Sequence, residues 1–351
     1  MKDKKIYLEK LDELTEYFES VPDTLMSRYF KVISLISLNM RYEKIAFDKN
    51  LKEHPYLLVR ELIEEQLECF KNFIEILFIE NQEEINIKPI IKEMEDKHHD
   101  LWDLLWDKYD KNSFEEKVDR YKHRIKINNL IEVIKDKKCL DLGSGHGTFS
   151  IALAELGAEL VKGIDFSEKS VAFSNKILDN RESKDKINFS VASIYKIPYF
   201  DNEFDFVVQN GVFHHMNDKS KAIDEAKRVL KKGGYFWYYT DGSGGISYDL
   251  FDRSVYLLRN VSTEFMQKIM KNMNVSVNKT YHLNDGMKAT YKHSSYDEVI
   301  EMLKNKGFGN FKRMIGGFNT DMDGDILKSP YAKEKFGEGD LRILCQLINK
   351  K

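Results

Sequence analysis

Glycine is missing from the first 142 residues of this 351-residue chain, and all 19 glycines lie at Gly143 or later. Proline is scarce in the same stretch, with only Pro22, Pro55 and Pro89. A long segment without the residue that supplies positive φ has few tight turns and few strand hairpins, so the front reads as helical. Cysteine is thin as well. Cys69, Cys139 and Cys345 stand far apart and make neither a disulfide framework nor a zinc-ligand spacing, so no metal is expected. No run approaches the ~20 uncharged apolar residues of a membrane span. The start, MKDKKIYLEKLDEL, has no apolar h-region, which argues against a secretory signal. Basic charge is not in excess either. The net charge is −3, and residues 1–137 carry 24 basic and 30 acidic side chains. That excludes a global basic field recruiting nucleic acid. What is left is a soluble, cytoplasmic protein whose 42% hydrophobic content supplies a sizeable core. Its length predicts two structural units rather than one.

Residues 1–135 read as about five helices. Leu8, Leu11, Leu14 and Phe18 recur at spacings of three and four, as do Leu62, Ile63, Leu67, Phe70, Ile74 and Leu77. Pro22-Asp23-Thr24 predicts a break with a new helix starting near Asp23 or Thr24, and His54-Pro55 predicts another boundary. His98-His99-Asp100 looks like a metal cluster, but adjacent side chains on a helix point about 100° apart, and a solvated polar face is the reading taken. Trp102, Trp106 and Tyr109 form an aromatic stripe, read as packing core with a substrate-pocket roof as the alternative.

At residue 138 the texture changes. Lys138–Leu142 is a short apolar run. Gly143-Ser144-Gly145-His146-Gly147 follows, and then the helix-like Thr148–Ala154. Alternating glycines in a strand–turn–helix unit let the backbone approach a ligand and leave helix N-terminal amides open to an anionic group. A second strand, Glu159–Ile164, ends in Asp165, placed to accept from ribose hydroxyls. A nucleoside-bearing cofactor is therefore expected. The turn is G-x-G-x-G rather than the G-x-G-x-x-G of a dinucleotide site, and Asp141 stands two positions before it. A carboxylate there suits a ligand with an ammonium group better than a pyrophosphate.

These residues resemble class I S-adenosylmethionine-dependent methyltransferases, most nearly the small-molecule type of ubiquinone/menaquinone biosynthesis. Asp141–Gly147 is similar to the first motif, Gly163–Ser167 to the second, and Ile197–Val208 to the third and fourth. Val229–Tyr235 is similar to the turn into strand five. The resemblance implies an α/β, Rossmann-like, seven-stranded and mostly parallel sheet, its last strand near Leu341–Leu347. It implies S-adenosyl-L-methionine as cofactor. Asp141 and the backbone of Gly143, Ser144, Gly145 and Gly147 would hold the methionyl end, and Asp165 the ribose. Phe166 would lie against adenine. Gln209 and Asn210 would face the methionyl and sulfonium region. Where many relatives place an acidic residue for the adenine amine, this chain has Ser193, followed by Ile194.

Methyl transfer is an in-line displacement, so the protein's main task is alignment, with a base needed only where the acceptor must lose a proton. Acceptor-side candidates follow strands four and five: His214, His215 and Asp241, with His293 a weaker one. The expected division is a helical domain at 1–117, serving as cap or homodimer contact, and a methyltransferase domain at 118–351 with a helical cap inserted at 245–293. The expected acceptor is a small or carrier-linked molecule methylated at oxygen or nitrogen, with a saccharide or secondary metabolite as the guess. Rival readings are an RNA methyltransferase and a non-catalytic subunit of the same fold. Against the RNA reading stand the acidic front and Gln209-Asn210-Gly211-Val212, where an Asn/Asp-Pro-Pro-aromatic motif would be expected.

Overall fold

The computed structural model describes residues 2–80, 111–275, 277–288 and 291–350. The His98-His99-Asp100 and Trp102/Trp106/Tyr109 groups lie outside the described residues. In chain order the elements are α1 (Lys2–Ser20), α2 (Leu25–Ala46), α3 (Pro55–Glu80), α4 (Lys111–Ile127), α5 (Ile131–Ile134), β1 (Lys138–Leu142), α6 (Thr148–Glu155), β2 (Leu160–Asp165), α7 (Glu168–Leu178), β3 (Ile187–Val191) and β4 (Phe204–Asn210). There follow α8 (Lys219–Val229), β5 (Leu230–Asp241), α9 (Gly245–Leu258), α10 (Thr263–Asn272), α11 (Val277–Lys288), α12 (Tyr296–Asn305), β6 (Phe308–Met314), α13 (Ala332–Phe336) and β7 (Asp340–Leu347). Among the described residues no helix is long and apolar enough to cross a membrane.

The chain divides into two compact units. One comprises Met1–Leu101, Gly244–Ala289 and Asp325–Gly337, the other Trp102–Ser243, Thr290–Gly324 and Glu338–Lys351. In the helical unit, α2 begins where the Pro22-Asp23-Thr24 break predicts. The hydroxyl of Thr24 accepts from the amide of Ser27 and the hydroxyl of Ser27 accepts from the amide of Thr24, a reciprocal cap. Pro55 opens α3, a first-turn position where its missing N–H costs nothing. The buried stripe of α1 is Tyr7, Leu11, Leu14 and Phe18, so Tyr7 takes the place expected of Leu8. Phe18 stacks on Phe70 of α3 at 3.9 Å. Asn39 of α2 donates to Ser254 of α9 (2.9 Å), and Tyr42 donates to the carbonyl of Lys335 in α13 (2.8 Å). The 245–288 helices thus pack with the N-terminal helices rather than forming an appendage of the sheet.

In the other unit seven strands form one sheet in the order β3-β2-β1-β4-β5-β7-β6, parallel except for β7, which runs antiparallel to both neighbours. Side chains along β1 alternate between two cores, Cys139 on one face and Leu140 and Leu142 on the other. With both faces covered, the inner strands β1, β2 and β4 read as near-continuous apolar runs, which is why they show in the sequence. The boundary expected between 117 and 118 falls inside α4. Phe114, Val118, Tyr121 and Ile125 of that helix join the core on the Cys139 face. The order reverses between β1 and β4, so their carboxyl ends open the crevice where ligands of such sheets lie.

Candidate active site

The turn after β1 is held in the left-handed region, with φ of +70° at Gly143 and +77° at Gly147. A Cβ on Gly147 would stand 2.3 Å from Cζ of Phe189, so glycine is required there for space as well as for φ. Asp165 at the end of β2 braces this turn. Its Oδ2 accepts from the amide of Gly145 and its Oδ1 from the amide of Ser167, both at 2.9 Å. Asp141 is 2% exposed and accepts from the hydroxyl of Ser150 at 2.7 Å. Burial pushes its carboxyl up to about 7; the Ser150 bond opposes this and the charge of Asp165 adds to it. His146 stacks on Phe173 at 4.1 Å, and its burial, with Lys117 nearby, pushes the imidazole down to about 3.

Around this turn the other expected cofactor residues take distinct places. Phe166, after β2, exposes 46% of its surface. Ser193 is exposed, and its hydroxyl accepts from the amide of Tyr195, while Ile194 packs into the core. Gln209 is fully buried. Its amide nitrogen donates to the carbonyl of Tyr239 (2.8 Å), and its oxygen accepts from the amides of Val212 and Phe213. Its side chain therefore fixes the turn after β4. Asn210 donates to the hydroxyl of Tyr121 at 3.2 Å. Its Oδ1, and Oγ of Ser144 in the glycine turn, are buried without a hydrogen-bond partner among the described residues. Buried polar atoms of this kind are normally satisfied, so both are suited to a ligand.

On the acceptor side the structure gathers all four expected residues of this unit around one ring that sequence reasoning missed, Tyr291. Its ring stacks on His214 (4.7 Å) and meets His215 (5.0 Å) and His293 (5.3 Å). Its hydroxyl donates to Asp241, whose other oxygen accepts from Tyr239 at 3.0 Å. The strap carrying Tyr291 is tied down, since the amide of Lys292 donates to the carbonyl of His214 and Ser294 bridges to Gly242. Behind Asp241 lies a buried charge network, also unforeseen. Tyr239 reaches Asp340 (3.4 Å), and Arg342 bonds Asp321 (3.0 Å), Asp323 and Asp340 (3.1 Å). Arg124 of α4 closes it through Asp321 at 2.9 Å. Burial holds the carboxyls of Asp323 and Asp340 above the usual carboxylate range despite Arg342. The signal for Tyr291 was its place between two histidine-bearing segments. The network had no local signal at all.

Residues 134–307 match the protein-family profile described as a methyltransferase domain. The chain is 31% identical over 140 residues to 27-O-demethylrifamycin SV methyltransferase of Amycolatopsis mediterranei, a match that covers 40% of this chain and 49% of that protein. It is 28% identical over 148 residues to demethylmenaquinone methyltransferase of Bacillus licheniformis, covering 41% of this chain and 62% of that one. A solved S-adenosylmethionine-dependent methyltransferase from Aquifex aeolicus superposes with a TM-score of 0.41 at 16% identity, covering 68% of this chain and all of that one. The chain spans about half the length of the curated relatives it matches. The site fits S-adenosylmethionine on its own chemistry: Asp141 for an ammonium group, Asp165 for hydroxyls, and the unpartnered Ser144 and Asn210 oxygens for polar hydrogens.

Proposed function

We propose that this protein is an S-adenosylmethionine-dependent methyltransferase acting on an oxygen or nitrogen of a small or carrier-linked molecule. One observation carries the reading. A positive-φ glycine turn, braced by Asp165, joins two unpartnered buried oxygens at the switch point of the sheet. Bound there, S-adenosylmethionine supplies a methyl group made electrophilic by its sulfonium. The chain's own work is placement. The turn and Asn210 hold the methionyl end, Asp141 in its ionised form meets the ammonium, Asp165 accepts from the ribose, and Phe166 covers the adenine. On the other side Asp241 and the His214, His215 and Tyr291 rings orient the acceptor. They take up its proton where the attacking atom must lose one. His293 stands at the rim of this group. The relatives named for rifamycin and menaquinone chemistry favour a small acceptor, a secondary metabolite before a saccharide. For the helical unit two roles stand, acceptor cap or homodimer contact, and sedimentation equilibrium separates them.

The test is calorimetric titration of the purified chain with S-adenosylhomocysteine. Saturable one-site binding is expected. Absence of binding at millimolar ligand overturns the reading.

A further inference from the structure

The strap at 291–294 has two sides. Tyr291 meets the acceptor-side histidines and Asp241, whereas Lys292 and Ser294 line a cavity of about 630 Å³ with Lys219, Ser220 and His293, whose ring lies 5.3 Å from that of Tyr291. Lys219 opens α8 and is half-buried. Its ammonium donates to the carbonyl of Lys292 and to the hydroxyl of Ser294, both at 3.2 Å. Among the described residues neither Lys219 nor Lys292 has a carboxylate within ion-pair distance. Two carboxylates do line the cavity, Asp218 and Glu298, but each is turned onto a helix start. Asp218 accepts from the amide of Lys221 (2.9 Å) and Glu298 from the amide of Ser295 (2.7 Å). Burial, and then the charge of Lys292, lowers the pKa of Lys219, with the charge of Glu298 opposing them only in part. The N-termini of α8 and α12, helices of 11 and 10 residues, meet the same space and add their positive ends. An anion relieves every one of these terms. The depression is open to solvent, with Ser220 and Lys292 exposed on its wall, which leaves room for the group that carries the anion.

We infer that this cavity is an anion subsite for a phosphate group borne by the methyl acceptor, with Lys219 and Lys292 as its ligands and Ser220 and Ser294 as hydroxyl donors. The inference rests on the methyltransferase reading, because Lys292 is next in sequence to Tyr291 and its amide is bonded to His214. It narrows the acceptor from any small molecule to a phosphate-bearing one.

The experiment titrates inorganic phosphate, and separately a simple phosphomonoester, into the full chain at low ionic strength. The wild type is compared with Lys219→Gln, Lys292→Gln and the double variant. S-adenosylhomocysteine affinity and the ligand-free melting temperature are measured on each. Saturable phosphate binding is expected in the wild type, weakened about tenfold by each lysine substitution, as for the loss of one charge-assisted hydrogen bond. S-adenosylhomocysteine affinity should stay within about twofold, since neither lysine touches the glycine turn. Tighter binding of the phosphomonoester than of inorganic phosphate assigns the site to the acceptor, and the reverse order assigns it to free phosphate and overturns the inference. No phosphate binding, or equal binding by the wild type and the double variant, also overturns it. Failure to bind S-adenosylhomocysteine instead strikes the methyltransferase reading and is read independently of the phosphate result. If a glutamine variant melts early, Lys219→Arg and Lys292→Arg serve in its place, with phosphate binding retained as the expected result.

Discussion

Asp141 shows how much a single carboxyl decides in this site. Its pKa stands near 7 because burial disfavours the charged form more than Ser150 favours it. The raised value has a definite sign for stability. The ligand-free folded state binds more protons than the unfolded chain between the two pKa values, so this group's contribution falls as pH rises from about 4 to about 7. A ligand ammonium reverses the preference by favouring the carboxylate. Affinity for S-adenosylhomocysteine should therefore rise with pH up to about 7, by as much as ~10-fold per unit, and level off above it. Asp141→Asn should weaken binding and flatten the profile. Calorimetry between pH 5.5 and 8.5 checks this, and a flat wild-type profile would refute it. The residues at this scale were legible in the sequence where their chemistry is local: Asp141, the glycines and Asp165 fall within one strand–turn–helix–strand stretch. Gln209 was legible only as a position. That its amide is bound to Tyr239, Val212 and Phe213 depends on how β4 pairs with β5, which no spacing reveals.

At the scale of elements, the turn between β1 and α6 is specified by shape as much as by chemistry. It passes under the ring of Phe189 from β3, so the fit of one strand's side chain limits another element's backbone. Gly147→Ala puts a methyl where Cζ of Phe189 lies and strains a φ of +77°. The clash should cost ~1–3 kcal/mol of stability, and S-adenosylhomocysteine affinity should fall with it because the turn must shift. Phe189→Leu removes the ring atoms in the way but leaves the φ strain. The double variant should then be less damaged than the sum of the singles, with a coupling of ~0.5–3 kcal/mol in denaturant unfolding. Strict additivity would mean that the turn moves without meeting Phe189. Strands β1, β2 and β4 were readable because buried parallel strands are continuous apolar runs, whereas the order of the seven strands is set by pairing that no single run reveals. The close approach of Phe189 to the turn was not, since it joins positions 42 apart through three-dimensional packing alone.

For the whole molecule, the buried network decides whether the acceptor wall and the sheet edge stay in register. Arg342 sits in β7, Asp321 and Asp323 lie in the connection after β6, and Arg124 comes from α4, so one charge cluster ties three parts of the unit together. Arg124 and Asp321 are 197 residues apart, which is why no reading of the sequence could assemble them. Two guanidiniums serve Asp321, Asp323 and Asp340, and Asp340 also receives Tyr239, which in turn holds Asp241. Arg342→Met would leave Asp323 and Asp340 buried without their cation. Breaking a buried pair from one side costs ~3–5 kcal/mol, far above the ~0–1 kcal/mol of an exposed pair such as Arg259 with Glu19. Because the chain holds two compact units, a melting temperature alone would not say which of them is weakened. Native-state hydrogen exchange on β5 and β7 is the sharper measurement. The amides of these strands should lose protection by about the full energy of the network in Arg342→Met, while those of α1 and α3 keep theirs. The replacement of Arg259 by alanine should move neither set. Uniform loss of protection across both units would show instead that the network holds the chain together as one cooperative body.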